Sequence, residues 1–384
     1  MSTPLEATVR MVHGSGRQIV LAITGGGSSA ISHLLSVPGG STSLLEAIVP
    51  YAPQALIEFL GAPPEHFCCE PTARAMAMAG FSKARHFSGE AANMGLLAGV
   101  ACTASLISDR PKRGPHRAHC AWQTLQATTS ASIELIKGAR ERAAEEDLVA
   151  RLVISTIAEA VGARAGLDIP LMAQEKIVRR LKQAPPSWQD LLVGRKQAIL
   201  IGDEEKGTSK PQVVFPGAFH PRHEGHRKMA RLAAQLLGKP VAHEISIENV
   251  DKPTLDYLEM ADRAGQFEPS EPLWFTRAPK FVDKARLFPG ATFVVGIDTL
   301  IRIADAHYYG GSINQRKSAV QYLIAQGCRF LVFGRLVNGR FQGLKESDVP
   351  TALRRVCQEV PMEQFREDIS STEIRRAASA AALD

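Results

Sequence analysis

His223 and His226 stand three residues apart within Gly217-Ala218-Phe219-His220-Pro221-Arg222-His223-Glu224-Gly225-His226. Two rings at that spacing on the start of a helix point the same way. The free N–H groups and positive dipole end of such a helix favour phosphate. Imidazoles placed beside them can donate hydrogen bonds as charge builds on phosphorus. A metal-binding or core histidine pair has the same spacing, because H-x-x-H alone is common. Far downstream, Ile369-Ser370-Ser371-Thr372-Glu373-Ile374-Arg375 reads as another helix start, with Ser370 or Ser371 as cap and Glu373 in the first turn. Gly296-Ile297-Asp298 closes an apolar strand-forming run, where an Asp can cap the helix that follows.

These residues need a frame. Gln212 to Phe215 is a short run of strand formers, and Met229, Leu232, Ala233, Leu236 and Leu237 fall at helical spacing after the histidines. The decapeptide is therefore a strand-to-helix turn. Further strands are expected at Gln197–Ile201, Val241–Ile247, Leu273–Thr276, Thr292–Asp298 and Arg329–Phe333, with a helix through Phe281, Ala285 and Phe288. Strands alternating with helices imply a parallel sheet with its ligand at the carboxyl edge.

Gly217, Phe219, Pro221, His223, Gly225 and His226 match G-x-F-x-P-x-H-x-G-H, and Ile369 to Arg375 matches I-S-S-T-x-I-R. With both motifs in order, the C-terminal half resembles the HxGH nucleotidylyltransferases, a group that includes nicotinamide and nicotinate mononucleotide adenylyltransferases and cytidylyltransferases. The resemblance implies a Rossmann-like domain over 211–384 that moves AMP from ATP to a phosphate acceptor and releases pyrophosphate. It makes His223 and His226 catalytic. It assigns nucleotide binding to Gly217, Ala218, Phe219, Gly225, Asp298, Ser371, Thr372 and Arg375. Mg²⁺ is implied as a cofactor carried by the ATP phosphates, with no metal site of protein ligands. Arg222 and Lys228 are nearby cations expected on an exposed helix face. Thr276-Arg277-Ala278-Pro279 and Asp283-Lys284 resemble the pyridine-mononucleotide branch, which makes nicotinamide or nicotinate mononucleotide the expected acceptor. Tyr308 or Tyr309 stands where that branch often has a stacking Trp. A different acceptor or CTP, and a non-catalytic nucleotide-binding regulator, are the alternative readings.

In the first half a strand, Gln18 to Ile23, meets the turn Thr24-Gly25-Gly26-Gly27-Ser28-Ser29 and a helix through Ile31, Leu34 and Leu35. Such a turn is a generic phosphate cradle or plain punctuation. With Pro38-Gly39-Gly40-Ser41, Val49-Pro50-Tyr51, Leu60-Gly61-Ala62-Pro63 and Thr72 to Ala77, it resembles the CinA-type α/β/α domain, whose known enzymes deamidate nicotinamide mononucleotide. Aligned on that pattern, the family's reactive Ser becomes Ala22 and its Lys becomes Leu56, so a fold without the deamidase is expected. The basic loop Pro111 to His119 is expected as solvated surface; His116, His119 and Cys120 lack established zinc spacing. A helix is expected over Ala139–Ala160 and another over Met172–Leu181, broken by Pro185-Pro186. The fold class is thus two α/β domains: 1–162 CinA-like, 163–210 a connecting segment with a polar stretch from Gly202 to Pro211, and 211–384 the nucleotidylyltransferase.

The chain has 384 residues, 45% hydrophobic and 22% charged, with a formal net charge of +6. That length suits two cores. The charge suits a nucleotide without calling for nucleic acid. No run of about 18 apolar residues occurs, so no membrane partner is expected. The first residues lack a secretory apolar core, and six cysteines without a C-x-x-C pair read as reduced thiols, so a cytoplasmic location is expected. Composition leaves a homo-oligomer open. Ala22 and Leu56 yield the first test. Incubated with nicotinamide mononucleotide, the protein is expected to release no ammonia, and release at a normal deamidase rate would contradict the reading.

Overall fold

The computed structural model describes residues 3–89, 93–109, 112–163, 166–202, 209–249, 253–337, 340–365, 371, 374 and 375. The chain divides into two compact units, Met1–Gln189 with Asp251–Ala261, and Asp190–Val250 with Asp262–Asp384.

The first unit holds β1 (Gln18–Thr24), β2 (Leu44–Ile48), β3 (Leu97–Ser105), β4 (His116–Thr124), β5 (Ala127–Leu135) and β6 (Val178–Gln183) in the order β2-β1-β3-β4-β5-β6. β2, β1 and β3 run parallel, whereas β3 to β6 are antiparallel neighbours. Its helices are α1 (Pro4–His13), α2 (Ser29–Ser36), α3 (Gly40–Ser43), α4 (Pro53–Leu60), α5 (Glu70–Ser88) and α6 (Arg142–Ala160). Successive strand residues face opposite ways. Ile19, Leu21 and Ile23 join the core under α1, α2 and α6, while Ala22, Ala101 and Ala121 pack with Leu56, Leu60 and Met76. The result is an α/β/α sandwich. α5 crosses β3 so closely that a Cβ on Gly99 would lie 2.0 Å from the Ala77 carbonyl oxygen, which only glycine allows.

Two expected features differ. Residues 178–183 form the edge strand β6, where Val178 and Leu181 stay 64% and 58% exposed, so no helix spans Met172–Leu181. His116 is no part of a solvated loop. It begins β4 and its Nδ1 lies 2.7 Å from buried Glu145 Oε1, while strand alternation turns His119 to the other face, bonded to Ser132.

α7 (Pro186–Val193) and β7 (Ala198–Leu200) follow. Segment 163–210 thus supplies an edge strand to each sheet; of the polar stretch Gly202–Pro211, residues 203–208 lie outside the described residues. The second sheet comprises β7, β8 (Val213–Pro216), β9 (Ala242–Ser246), β10 (Leu273–Thr276), β11 (Thr292–Gly296), β12 (Arg329–Phe333) and, after the ribbon β13 (Arg335–Val337) and β14 (Arg340–Gln342), β15 (Cys357–Val360). Its order is β15-β12-β11-β8-β9-β10-β7, parallel except for β7. Its helices are α8 (Glu224–Leu237), α10 (Phe281–Leu287), α11 (Ile297–Ala304), α12 (Ile313–Ala325) and α13 (Thr351–Arg354), while α9 (Tyr257–Ala264) begins in the stretch Asp251–Ala261 of the first unit. From β8 the chain winds one way through β9 and β10, then the other way through β11, β12 and β15. The switch point lies between β8 and β11, which pair only at Val213–Val214 against Thr292–Phe293. Their carboxyl ends are left free to part, and such a crevice is where open α/β sheets bind ligands.

Asp251–Ala261, lying in sequence between β9 and β10, belongs to the first unit. Arg74 on α5 is 2% exposed, and its Nη1 donates to both Asp256 oxygens at 2.7 and 2.8 Å. Glu70 and Glu259 flank it at 3.2 and 3.5 Å, and Tyr257 donates its hydroxyl to the Leu125 carbonyl at 2.8 Å. One buried cation therefore faces three carboxylates, with its closest bonds to Asp256. Arg74→Met is expected to cost about 3–5 kcal/mol, because removing one partner strands buried charge. Chemical denaturation reads the loss, and adding Asp256→Asn should recover part of it; an unshifted midpoint would show that Arg74 is not the neutralising group.

Candidate active site

The turn after β8 is shaped by Phe219. Its φ is +46°, a left-handed backbone that costs a bulky residue strain, yet it is only 1% exposed. Packing compensates. The ring meets Phe215 and Phe267 edge-on, each at 5.3 Å between centroids, His243 at 5.5 Å and His226 at 5.0 Å. A Cβ on Gly217 would lie 2.8 Å from this ring, so glycine at 217 and phenylalanine at 219 are one device. Arg263 donates to the Ala218 carbonyl at 3.1 Å, and Gln266 to the Phe219 carbonyl at 2.9 Å while accepting from the Arg222 N–H at 2.7 Å.

Arg222 is not on an exposed helix face. It is buried, forked onto the Glu271 carboxylate, and stacked 4.4 Å over Phe267. The Arg222 hydrogen bonds hold Glu271 down to about 2 against the opposing effect of burial. Lys228 is exposed, as expected.

His223 precedes α8 and His226 lies in its first turn, with ring centroids 3.7 Å apart and stacked at 26°. The His223 backbone N–H donates to His226 Nδ1 at 3.2 Å. Burial, reinforced by His223, Arg222 and His243, pushes His226 down to about 3. The ring is therefore neutral with its proton on Nε2, a fixed donor. Behind it, His243 on β9 is 2% exposed, neither ring nitrogen has a hydrogen-bond partner among the described residues, and burial lowers it to about 4.

A hollow of about 280 Å³ opens at the switch point. Gly217, Ala218, His223, Gly225 and His226 line one side, and Gly296, Asp298, Gly334 and Arg335 another, with Ser371 at its edge. The Ser371 hydroxyl donates to the Pro221 carbonyl at 2.9 Å, and Arg375 donates to the His220 carbonyl. Residues 150 and 155 positions apart thus meet on one turn. Thr372 lies outside the described residues. Phe219 supports the hollow from beneath and does not line it. Asp298 does not cap: α11 has no side-chain cap, and the carboxylate accepts from Arg335 Nη1 at 2.5 Å. Arg335 was missed, although it follows β12 and Gly334 at the same carboxyl edge that placed the others.

Residues 214–377 match the Cytidylyltransferase-like family. This cytidylyltransferase-like domain brings nucleotidyl transfer with it, and the match spans both motif regions. The N-terminal part is similar to solved CinA-superfamily structures. One is the competence/damage inducible protein CihA from Agrobacterium tumefaciens, at 16% identity, covering 42% of this chain and 96% of that one with a TM-score of 0.30. A competence or damage-inducible protein from Enterobacter asburiae gives 13%, 42%, 98% and 0.33. A CinA superfamily protein from Escherichia coli gives 12%, 41%, 87% and 0.31. No curated protein matches the chain.

Other expected residues serve the scaffold. Lys284 donates to both oxygens of fully buried Glu244 at 2.8 and 2.7 Å, Thr276 joins the same carboxylate, and Arg277 holds the Leu192 carbonyl at 2.6 Å. Tyr309 donates to the Ile303 carbonyl at 3.1 Å, and neither it nor Tyr308 lines the hollow. In the first unit, the glycine turn is filled from within: Glu146 accepts from the Gly27 and Ser29 N–H groups at 2.9 and 3.2 Å and from both serine hydroxyls. Burial pushes this carboxyl up, but those hydrogen bonds outweigh it and hold it low. Ala22 and Leu56 are 0% and 2% exposed, part of the core. Among the described residues no group of three or more His, Cys, Asp or Glu could hold a metal ion, and no helix is long and apolar enough to cross a membrane.

The two depressed imidazoles set a pH dependence. Unfolded histidines take up protons near about 6.5, whereas the folded rings refuse them down to about 4 for His243 and 3 for His226. Their stability contribution is whole above the unfolded value and is lost as pH falls through that window. His243→Phe forfeits no hydrogen bond and should cost under about 1.5 kcal/mol at neutral pH. It should also remove about one proton from the slope of unfolding free energy between about pH 6 and 5. An unaltered slope would contradict a neutral His243.

Proposed function

We propose that the C-terminal unit transfers AMP from ATP to the phosphate of nicotinamide or nicotinate mononucleotide. The observation that carries the reading is the meeting of His223, His226, Asp298 and Ser371 on one hollow at the switch point. A phosphate oxygen of the acceptor attacks the α-phosphorus; a new P–O bond forms as the bond to the bridging oxygen breaks and pyrophosphate leaves. The protein supplies no nucleophile, only position and charge compensation. His226 Nε2–H donates to an α-phosphate oxygen while Nδ1 stays engaged by the His223 N–H, so the ring enters the reaction already oriented. The α8 N-terminus adds its dipole. Ser371, with Thr372 and Arg375 carried over from the motif, holds the outer phosphates.

Asp298 is the one carboxylate among the described residues lining the hollow, and Arg335 takes one of its oxygens. That donor set fits a Mg²⁺ brought in by the triphosphate and touching the protein through Asp298. When bound, the ion offsets phosphate charge. The nucleobase is the point where the family match supports a second reading, CTP in place of ATP.

The test is pyrophosphate release with Mg²⁺, ATP or CTP, and a panel of acceptors. ATP with nicotinamide or nicotinate mononucleotide is expected to be the fastest pair. His226→Ala should lose about 10²–10³-fold in kcat, the cost of deleting one preorganised donor, with thermal unfolding showing that the unit remains folded. Turnover with CTP alone would select the second reading, and absence of turnover with every pair would overturn the assignment.

A further inference from the structure

The same sheet has a second hollow at its amino edge, about 460 Å³ in volume. Lys239 lies beyond the end of α8, Arg329 opens β12, and Arg355 immediately precedes Val356 and β15; all three line it. Each is exposed, and none has an ion pair or a side-chain hydrogen bond among the described residues. Among the described residues no Asp or Glu lines the hollow. Elsewhere in this unit arginines near the sheet are partnered: Arg222 with Glu271, Arg277 with Glu248, Arg335 with Asp298. Three unpartnered like charges around one concavity repel each other and raise the local anion concentration. The floor is apolar, with Val213 and Phe330 each 1% exposed.

We propose that this amino-edge hollow is a binding site for a small molecule bearing at least two phosphate groups. The backbone N–H groups of Thr292, Arg329 and Phe330 are already spent on Gln212, Ala291 and Val356, which leaves side chains as the donors, the three cations together with the neutral Thr292 and Gln358. Two guanidinium forks suit phosphate oxygens, and a lone phosphate would leave part of the positive charge uncompensated. A concavity of this volume admits a small ligand rather than a macromolecular surface. The site is separate from the carboxyl-edge hollow and does not depend on the reaction assigned there.

The experiment is calorimetric titration of the full chain with inorganic pyrophosphate at low salt, in a His226→Ala/Ser371→Ala background that disables the other hollow. One equivalent should bind. Arg329→Gln and Arg355→Gln should each weaken binding about tenfold, the worth of a charge-assisted hydrogen bond, and Lys239→Gln should weaken it too. Circular dichroism should stay unchanged, since all three side chains are exposed. Parent-like affinity in the Arg329→Gln/Arg355→Gln variant, or no binding in the background protein, would overturn the proposal. A nucleoside triphosphate arm asks whether the apolar floor adds affinity beyond the phosphates. Nucleotidyl transfer, measured separately in the chain carrying only the arginine changes, should be retained; its absence from every variant would count against the proposed function and leave this site standing.

Discussion

The candidate site depends on a single backbone hydrogen bond, from the His223 N–H to Nδ1 of His226. That bond fixes which ring nitrogen carries the proton and aims the other at the hollow. It holds only while the ring stays neutral, because a protonated Nδ1 cannot accept. Burial does most of that work, and the neighbouring positive groups add to it. The aromatic packing around Phe219 and the Arg222–Glu271 fork exist, in this account, to keep the turn closed over that ring. Contacts behind a donor decide in this way whether it is ready before substrate arrives.

The two units use one local scheme, strand then glycine turn then helix, and resolve it in opposite ways. After β1, the turn's donors are occupied by Glu146 from α6, so an internal carboxylate sits where an external anion would. After β8, the turn faces an open hollow. Glycine turns at strand ends therefore mark capacity for anion binding, and the surrounding side chains decide whether that capacity is spent internally. Ala22 and Leu56, where the CinA-type pattern leads one to expect Ser and Lys, are both core.

Much of this was legible in the residues. Short runs of strand formers placed β1 and β8 to β12, their alternation with helical segments implied the parallel sheet, and helical composition and spacing placed α6 and α8. The histidine turn, Asp298 and Ser371 were found because their types and positions are local signals. What failed were features set by distant partners. Val178 and Leu181 have helical spacing but sit on an exposed edge strand, where pairing with β5 outweighs local pattern. Arg222 looks like any surface cation until Glu271, forty-nine positions on, is brought against it. Asp251–Ala261 joins the first unit through Arg74, a contact no local pattern encodes.

The most direct test of the central claim is the protonation and tautomer of His226, read by long-range ¹H–¹⁵N NMR of the imidazole from about pH 8 down to about pH 5. A neutral ring with its proton on Nε2 throughout, whose Nε2 signal moves when a nucleoside triphosphate is added, is the result this account predicts. A ring that titrates near the ordinary histidine value, or that carries its proton on Nδ1, would contradict it.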